Sequence, residues 1–187
     1  MVGWWCYLLI GIDASRATSA SRTGTETYSQ QLIRALACLG SGHRLRLYTQ
    51  RALPPQFWSQ PLCNDELQGQ DGQGHHPAPG VDVRCIPFKR LWTHVRLSVE
   101  VMRHPPDVLF VPAHVLPLVH PAPSVVTVHD LGFVYYPEAH RRRDRLYLEW
   151  STRWSAGQST AVIADSAATR ADLVRHCGIA AQKVHVV

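Results

Sequence analysis

Residues 124–138 read SVVTVHDLGFVYYPE. Ser124–Val128 is a short run of mostly β-branched residues that stops on two reactive side chains, His129 and Asp130. A strand with one wet face alternates apolar and polar residues, whereas an unbroken apolar run suits a parallel sheet covered on both faces. That distinction decides the fold class. Residues 7–12 and 107–111 have the same unbroken character, and strand patterns recur at 43–49, 81–86, 161–164 and 183–187. Helical patterns fall between them, and this alternation predicts an α/β fold: a Rossmann-like three-layer sandwich around a mostly parallel sheet.

The helix signals are local. Thr23 followed by Glu26 is a capping box, in which side chains answer the free N–H groups of a first turn. Tyr28, Leu32, Ala35, Leu36 and Leu39 then fall on one helical face, and Gly40 is placed to stop the helix. A second helix is predicted over residues 91–103. A third starts near Pro137 and Glu138, with Leu146, Trp150 and Trp154 as its buried face. Asp165 and Ser166 cap a fourth, which Gly178 ends. Residues 52–80, opened by Pro54-Pro55 and closed by QGQDGQGHHPAPG, read as a flexible surface insertion. Within it, His75 and His76 have no fixed third ligand, and no metal site is assigned.

At 187 residues, 45% hydrophobic and 18% charged, the chain is long enough for one domain with a real core. Its five cysteines (Cys6, Cys38, Cys63, Cys85, Cys177) form no CxxC pair. That spacing argues against a disulfide framework and a structural zinc site, and suits a reducing, cytoplasmic setting. The apolar start, MVGWWCYLLIGID, runs into Asp13 and reads as a first strand rather than a leader or membrane span. The net charge of +5 points to an anionic partner, and Arg141, Arg142, Arg143 and Arg145 concentrate it. They read either as a solvated helix face or as a patch for anionic lipid or phosphate, with peripheral contact to a membrane surface. Nucleic acid is not expected, because no basic stripe interleaves with exposed aromatics.

In an open α/β sheet, ligands bind beyond the carboxyl ends of the strands, where the strand order reverses. His129 and Asp130 end a central strand and therefore sit on that rim. The plainer alternative is that Asp130 caps a turn and His129 bonds only to backbone. Gly24 opens a helix after the first strand, where free N–H groups favour an anion, although no GxGxxG is present. His114 follows the strand at 107–111, and Ser166 and Arg170 follow the strand at 161–164. Neither a G-x-S-x-G elbow nor a Walker A loop occurs.

One ordered set of segments carries a resemblance. It comprises Gly11-Ile12-Asp13, Thr23-Gly24-Thr25-Glu26-Thr27-Tyr28, Asp107-Val108-Leu109-Phe110-Val111-Pro112, Val126-Thr127-Val128-His129-Asp130-Leu131, Tyr136-Pro137-Glu138, the run from Ala164 to Leu173, and Lys183-Val184-His185-Val186-Val187. Together these resemble the N-terminal domain of family 4 retaining glycosyltransferases, one half of a GT-B fold. The resemblance spans nearly the whole chain outside the insertion. It implies a hexosyltransferase-like enzyme that moves a sugar from a nucleotide-sugar to a glycan or lipid-linked acceptor.

In site terms the resemblance implies that His129, with Asp130 beside it, lies near the transferred sugar. Gly24, with Thr23 where many members have a second glycine, approaches the donor phosphates and the acceptor, and Ser166 and Arg170 start a helix on the cleft side. It also implies that residues 1–187 form the acceptor-side domain. A C-terminal donor-binding domain would be a separate partner absent from this chain, which alone is expected to be inactive. Neither cofactor nor metal is implied, the nucleotide-sugar being a substrate. A second reading, from another class, is a non-catalytic Rossmann-like module recruited to anionic membranes through the basic helix.

Overall fold

The strand order places the fold's ligand edge, and hydrogen bonding fixes that order. The structure, a computed structural model, describes residues 7–19, 23–39, 42–54, 57–58, 80–88, 91–121 and 123–187. Strands β1 (Leu9–Asp13), β2 (Arg44–Thr49), β3 (Val81–Cys85), β4 (Val108–Val111), β5 (Ser124–Val128), β6 (Ala161–Ala164) and β7 (Val184–Val186) form one sheet in the order β3-β2-β1-β4-β5-β6-β7. Every pair is parallel. The α/β Rossmann-like arrangement is therefore observed as expected. Its order reverses between β1 and β4, so the crevice opens there.

Helix α1 (Gly24–Cys38) covers one face of the sheet. The other face carries α2 (Ser98–Arg103), preceded by a π-helical stretch Trp92–Leu97, together with α4 (Arg142–Gln158) and α5 (Ala167–Cys177). A single turn of helix, α3 (Gly132–Tyr135), joins β5 to a 3-10 turn at Pro137–Ala139. The larger core packs Leu109, Val111, Val126, Val128 and Val162 against Leu97, Val101, Ala156 and Leu173. The second packs Ile12, Leu45, Leu47 and Phe110 against Ile33 of α1. Alternate residues of β4, β5 and β6 thus serve the two cores.

Several expectations change. On α1 the buried residues are Glu26, Ser29, Gln30, Ile33 and Arg34, and Leu39 is 71% exposed. Polar partners turn the helix that way: the Ser29 hydroxyl donates to the Pro112 carbonyl at 3.3 Å, and Glu26 is engaged by Thr23 and Arg16. The helix over 91–103 begins as a π-helix, with Leu91 in a left-handed conformation at φ 54°. Pro137 opens only a 3-10 turn. His140 is extended, and α4 starts at Arg142.

On α4 the buried residues are Ser151, Thr152, Ser155 and Ala156, while Leu146 and Trp150 are 60% and 48% exposed. Of the three large residues expected inside, Trp154 alone packs on the core. Small residues let the helix lie close to the chain beneath it, where the Ser155 hydroxyl accepts the Leu116 N–H at 3.0 Å. Cys38 is disulfide-bonded, whereas Cys85 and Cys177 are free, so the expectation against disulfides does not hold at Cys38. Spacing along a chain does not reveal which sulfurs meet in space. In the segment expected to be an insertion, Phe57 is fully buried against the sheet, edge-on to Trp58 at 4.8 Å. Residues 55–56 and 59–79, including His75 and His76, lie outside the described residues. Gly40 does too.

Two glycines have a stated mechanical role. Gly178, at φ 70°, ends α5, and the Ile179 N–H returns to the Leu173 carbonyl. Gly11, in β1, lets the strand pass between the Tyr48 ring and Pro106. A Cβ there would lie 2.8 Å from Tyr48 Cε2 and 2.9 Å from Pro106 Cγ. Both neighbours are buried rings with no room to retreat. Gly11→Ala is expected to lower unfolding stability by about 1–3 kcal/mol in denaturant titrations. An unchanged midpoint would show that the strand can shift.

Candidate active site on the carboxyl rim

Each strand delivers its next residues to the same edge, and the chemistry collects there. His129 follows β5 directly. Its Nδ1 lies 2.6 Å from Asp165 Oδ2, which follows β6. A carboxylate oxygen only accepts, so Nδ1 carries the proton of that bond. The ring meets Tyr28 of α1 edge-on, with centroids 4.8 Å apart and planes at 83°. From the other side, the Thr169 hydroxyl donates to the His129 carbonyl at 3.0 Å. Two contacts thus fix the imidazole and a third fixes the backbone that carries it. Its Nε2 is screened from solvent and has no hydrogen-bond partner among the described residues. Leaving such an atom dry and unpaired typically costs about 1–3 kcal/mol, which a ligand hydroxyl would relieve.

Asp130 is separate from this clamp. Its Oδ1 accepts the Gly132 N–H at 2.7 Å, so it caps the turn into α3. The carboxylate that orients His129 is Asp165, which the sequence suggested only as part of a helix cap. The signal was available: Asp165 ends a buried strand in the same way that His129 does. Ser166 is the N-cap of α5, its Oγ accepting the Thr169 N–H at 3.0 Å. Arg170 leaves the group, because its guanidinium donates to the Ala181 carbonyl at 3.1 Å.

Across the crevice, α1 presents its first turn. The Thr23 N–H and hydroxyl both donate to Glu26 Oε2, the N–H at 3.0 Å. Burial pushes the Glu26 carboxyl up, but those two bonds and the Arg16 guanidinium pull it below the usual carboxylate range. Arg16, half-exposed, lies 3.4 Å from Glu26 and is a rim cation that sequence reasoning missed. Gly24 has open space around its α-carbon, with nothing within 4 Å of a Cβ built there. A ligand can therefore approach the backbone of that first turn. Asp13, at the end of β1, is buried and accepts the Ser15 N–H at 2.9 Å. Burial raises its carboxyl above the ordinary value.

His114 closes the floor after β4. Burial, with smaller contributions from Arg16 and His129, lowers its pKa from 6.5 to about 4. The folded state therefore resists the proton that the unfolded chain takes. The stability contributed by the neutral imidazole is complete above pH 6.5 and is lost as pH falls toward and through 4. Near pH 4 the loss amounts to roughly 3 kcal/mol. Among the described residues, no group of three His, Cys, Asp or Glu side chains is arranged to hold a metal.

The basic run divides. Arg141, Arg142 and Arg143 are exposed at the start of α4. Arg145 instead lines a cavity of about 240 Å³ with Phe133, Glu149, Arg153 and Cys177, between α4 and α5. Measured between about pH 7 and pH 4, the unaltered protein should lose roughly 3 kcal/mol more unfolding free energy than its His114→Asn variant. Parallel pH profiles would show that His114 is not held neutral.

The family model for glycosyltransferase family 4 matches residues 22–187, a span that contains the α1 cap, the floor histidine and the His129 clamp. No curated protein matches the chain. With the model covering all but the first strand and its loop, and the clamped histidine on the rim where an α/β sheet builds its site, the chain belongs to glycosyltransferase family 4.

Proposed function

We propose that this chain is the acceptor-side half of a retaining glycosyltransferase. In this reading it moves a sugar from a nucleotide-sugar donor to a glycan or lipid-linked acceptor, together with a second, donor-binding domain. The observation that carries the reading is the clamped His129 with its unsatisfied Nε2. Asp165 fixes the ring through Nδ1, so a neutral imidazole offers Nε2 as an acceptor to a hydroxyl of the transferred sugar. Tyr28 sets the edge of that pocket and would shift slightly to admit the hydroxyl. Asp130 stiffens the turn beside the sugar through Gly132.

The rest of the rim supports division of labour between two domains. Among the described residues, Asp13, Glu26, Asp130 and Asp165 give this edge four carboxylates, with the Arg16 guanidinium paired to one of them. Such a surface suits neutral hydroxyls better than a diphosphate. The open first turn at Gly24, with Thr23 and Arg16 beside it, meets one end of the donor phosphates. Most of the diphosphate charge falls to cations and dipoles on the partner domain. Ser166 and His114 shape the floor, and Arg170 acts only by holding the segment before β7.

The test uses a full-length chain carrying both domains. His129→Ala should lower kcat by about 100-fold or more, and Asp165→Asn by about 10-fold, with Tm nearly unchanged. Activity within about twofold of the unaltered enzyme, or losses that merely follow unfolding, would overturn the role. Residues 1–187 alone should show no detectable transfer, and robust transfer by them would refute the two-domain requirement.

A further inference from the structure

Helix α4 is built inside out. Its sheet-facing side carries Ser151, Thr152, Ser155 and Ala156, and its solvent side carries Leu146, Tyr147 and Trp150. Leu146, Trp150 and Arg143 lie within one exposed stripe at helical spacing, and Arg142 borders it. A helix that needed only to be soluble would reverse that placement. The aromatic rings are also held in place. The Tyr147 hydroxyl is 2.8 Å from His94 Nε2, and Trp150 stacks on Trp154 with centroids 6.0 Å apart and planes at 15°. Leu91, just before the π-helical segment, and Val95 within it are exposed as well.

We propose that this face of α4 is a docking surface for an anionic lipid bilayer, with Leu146, Tyr147 and Trp150 seated at the headgroup level and Arg141, Arg142 and Arg143 on lipid phosphates. Charge and side-chain chemistry select this occupant. Tryptophan and tyrosine favour the headgroup zone, where one edge of the ring is dry and the other wet. A helix lying in that plane combines an apolar stripe with flanking arginines. Three arginines crowd the first turn, where the helix's own partial charge is positive, and Asp144 is the sole acidic residue there. An anionic surface relieves that repulsion, and a neutral protein surface would not.

The surface adjoins the rim. β5 ends at Val128, and α3 with its 3-10 turn carries the chain along that edge to Arg142. This short connection ties a bilayer docked on α4 to the strand end that carries His129, and the acceptor class we infer from it is a sugar acceptor anchored in the membrane by a lipid. This last step rests on the transferase reading above, whereas the docking surface does not.

Vesicle flotation of the full chain tests both parts. Vesicles of phosphatidylcholine with about one-third phosphatidylglycerol should bind it roughly 100-fold better than phosphatidylcholine alone at about 0.1 M salt, the advantage shrinking as salt rises. Changing Arg141, Arg142 and Arg143 together to Gln should remove that advantage. Leu146→Ser with Trp150→Ser should weaken binding by about 10-fold or more, with Tm retained. Equal binding to both vesicle types, or indifference to the arginine changes, would overturn the docking surface. So would self-association abolished by the Ser variants in the absence of vesicle binding, which would make the face a protein interface.

For the acceptor, the Ser variant of the two-domain enzyme should lose turnover on a vesicle-embedded lipid-linked sugar and keep it on a short-chain soluble analogue. Equal loss on both would overturn the acceptor class. If the unaltered enzyme transfers to neither, the transferase reading fails, and the flotation result still decides the docking surface.

Discussion

Everything on the rim depends on one constraint: seven parallel strands, each of which must return to the same starting edge before the next can begin. Parallel pairing forces every connection across a face of the sheet, so each strand's carboxyl end points to one side of the molecule. Residues far apart in sequence then become neighbours without any local signal between them. His129 and Asp165 are 36 positions apart, and Ser29 reaches the Pro112 carbonyl across 83. The reversal of order between β1 and β4 leaves the gap into which Arg16, Glu26 and His114 are placed.

The two sides of that gap differ chemically. On the β5–β6 side, a carboxylate and a phenol ring hold one imidazole and a hydroxyl holds its backbone carbonyl, leaving a single ring nitrogen unsatisfied. On the α1 side, a capping box that ordinarily serves only helix stability also holds Arg16 at the rim, because Glu26 has a second oxygen to offer. Stability and site chemistry share the same carboxylate. Among the described residues this edge carries Asp13, Glu26, Asp130 and Asp165, with Arg16 as the cation paired to Glu26.

The strands and their order of appearance were legible in the sequence because unbroken β-branched runs have few alternatives. The ends of the elements were legible where one residue decides them, as at Thr23 and Gly178. The facing of the helices was not. Periodicity placed Leu146 and Trp150 inside on the assumption that large apolar residues seek the core. The observed packing needs small residues, with Ser155 bonded to Leu116 and Ser151 to the Leu148 carbonyl. On α1 the assumption held for Leu32 and Leu36, which pack on the core, and failed for Leu39, where polar contacts from Glu26 and Ser29 fix the rotation. In the site, position along a strand placed His129 on the rim together with Asp130, whereas the carboxylate that bonds the ring is Asp165. Adjacent residues point to opposite sides, so the partner had to come from another strand.

The central claim is that Asp165 fixes His129 through Nδ1 and leaves Nε2 for the transferred sugar. Long-range proton–nitrogen NMR of the histidine side chains, recorded near pH 8, where an unperturbed imidazole is neutral, reads this directly. The account predicts a proton on Nδ1 and a bare Nε2 for His129, with that preference lost in Asp165→Ala. A proton on Nε2 with a bare Nδ1 in the unaltered protein would contradict it.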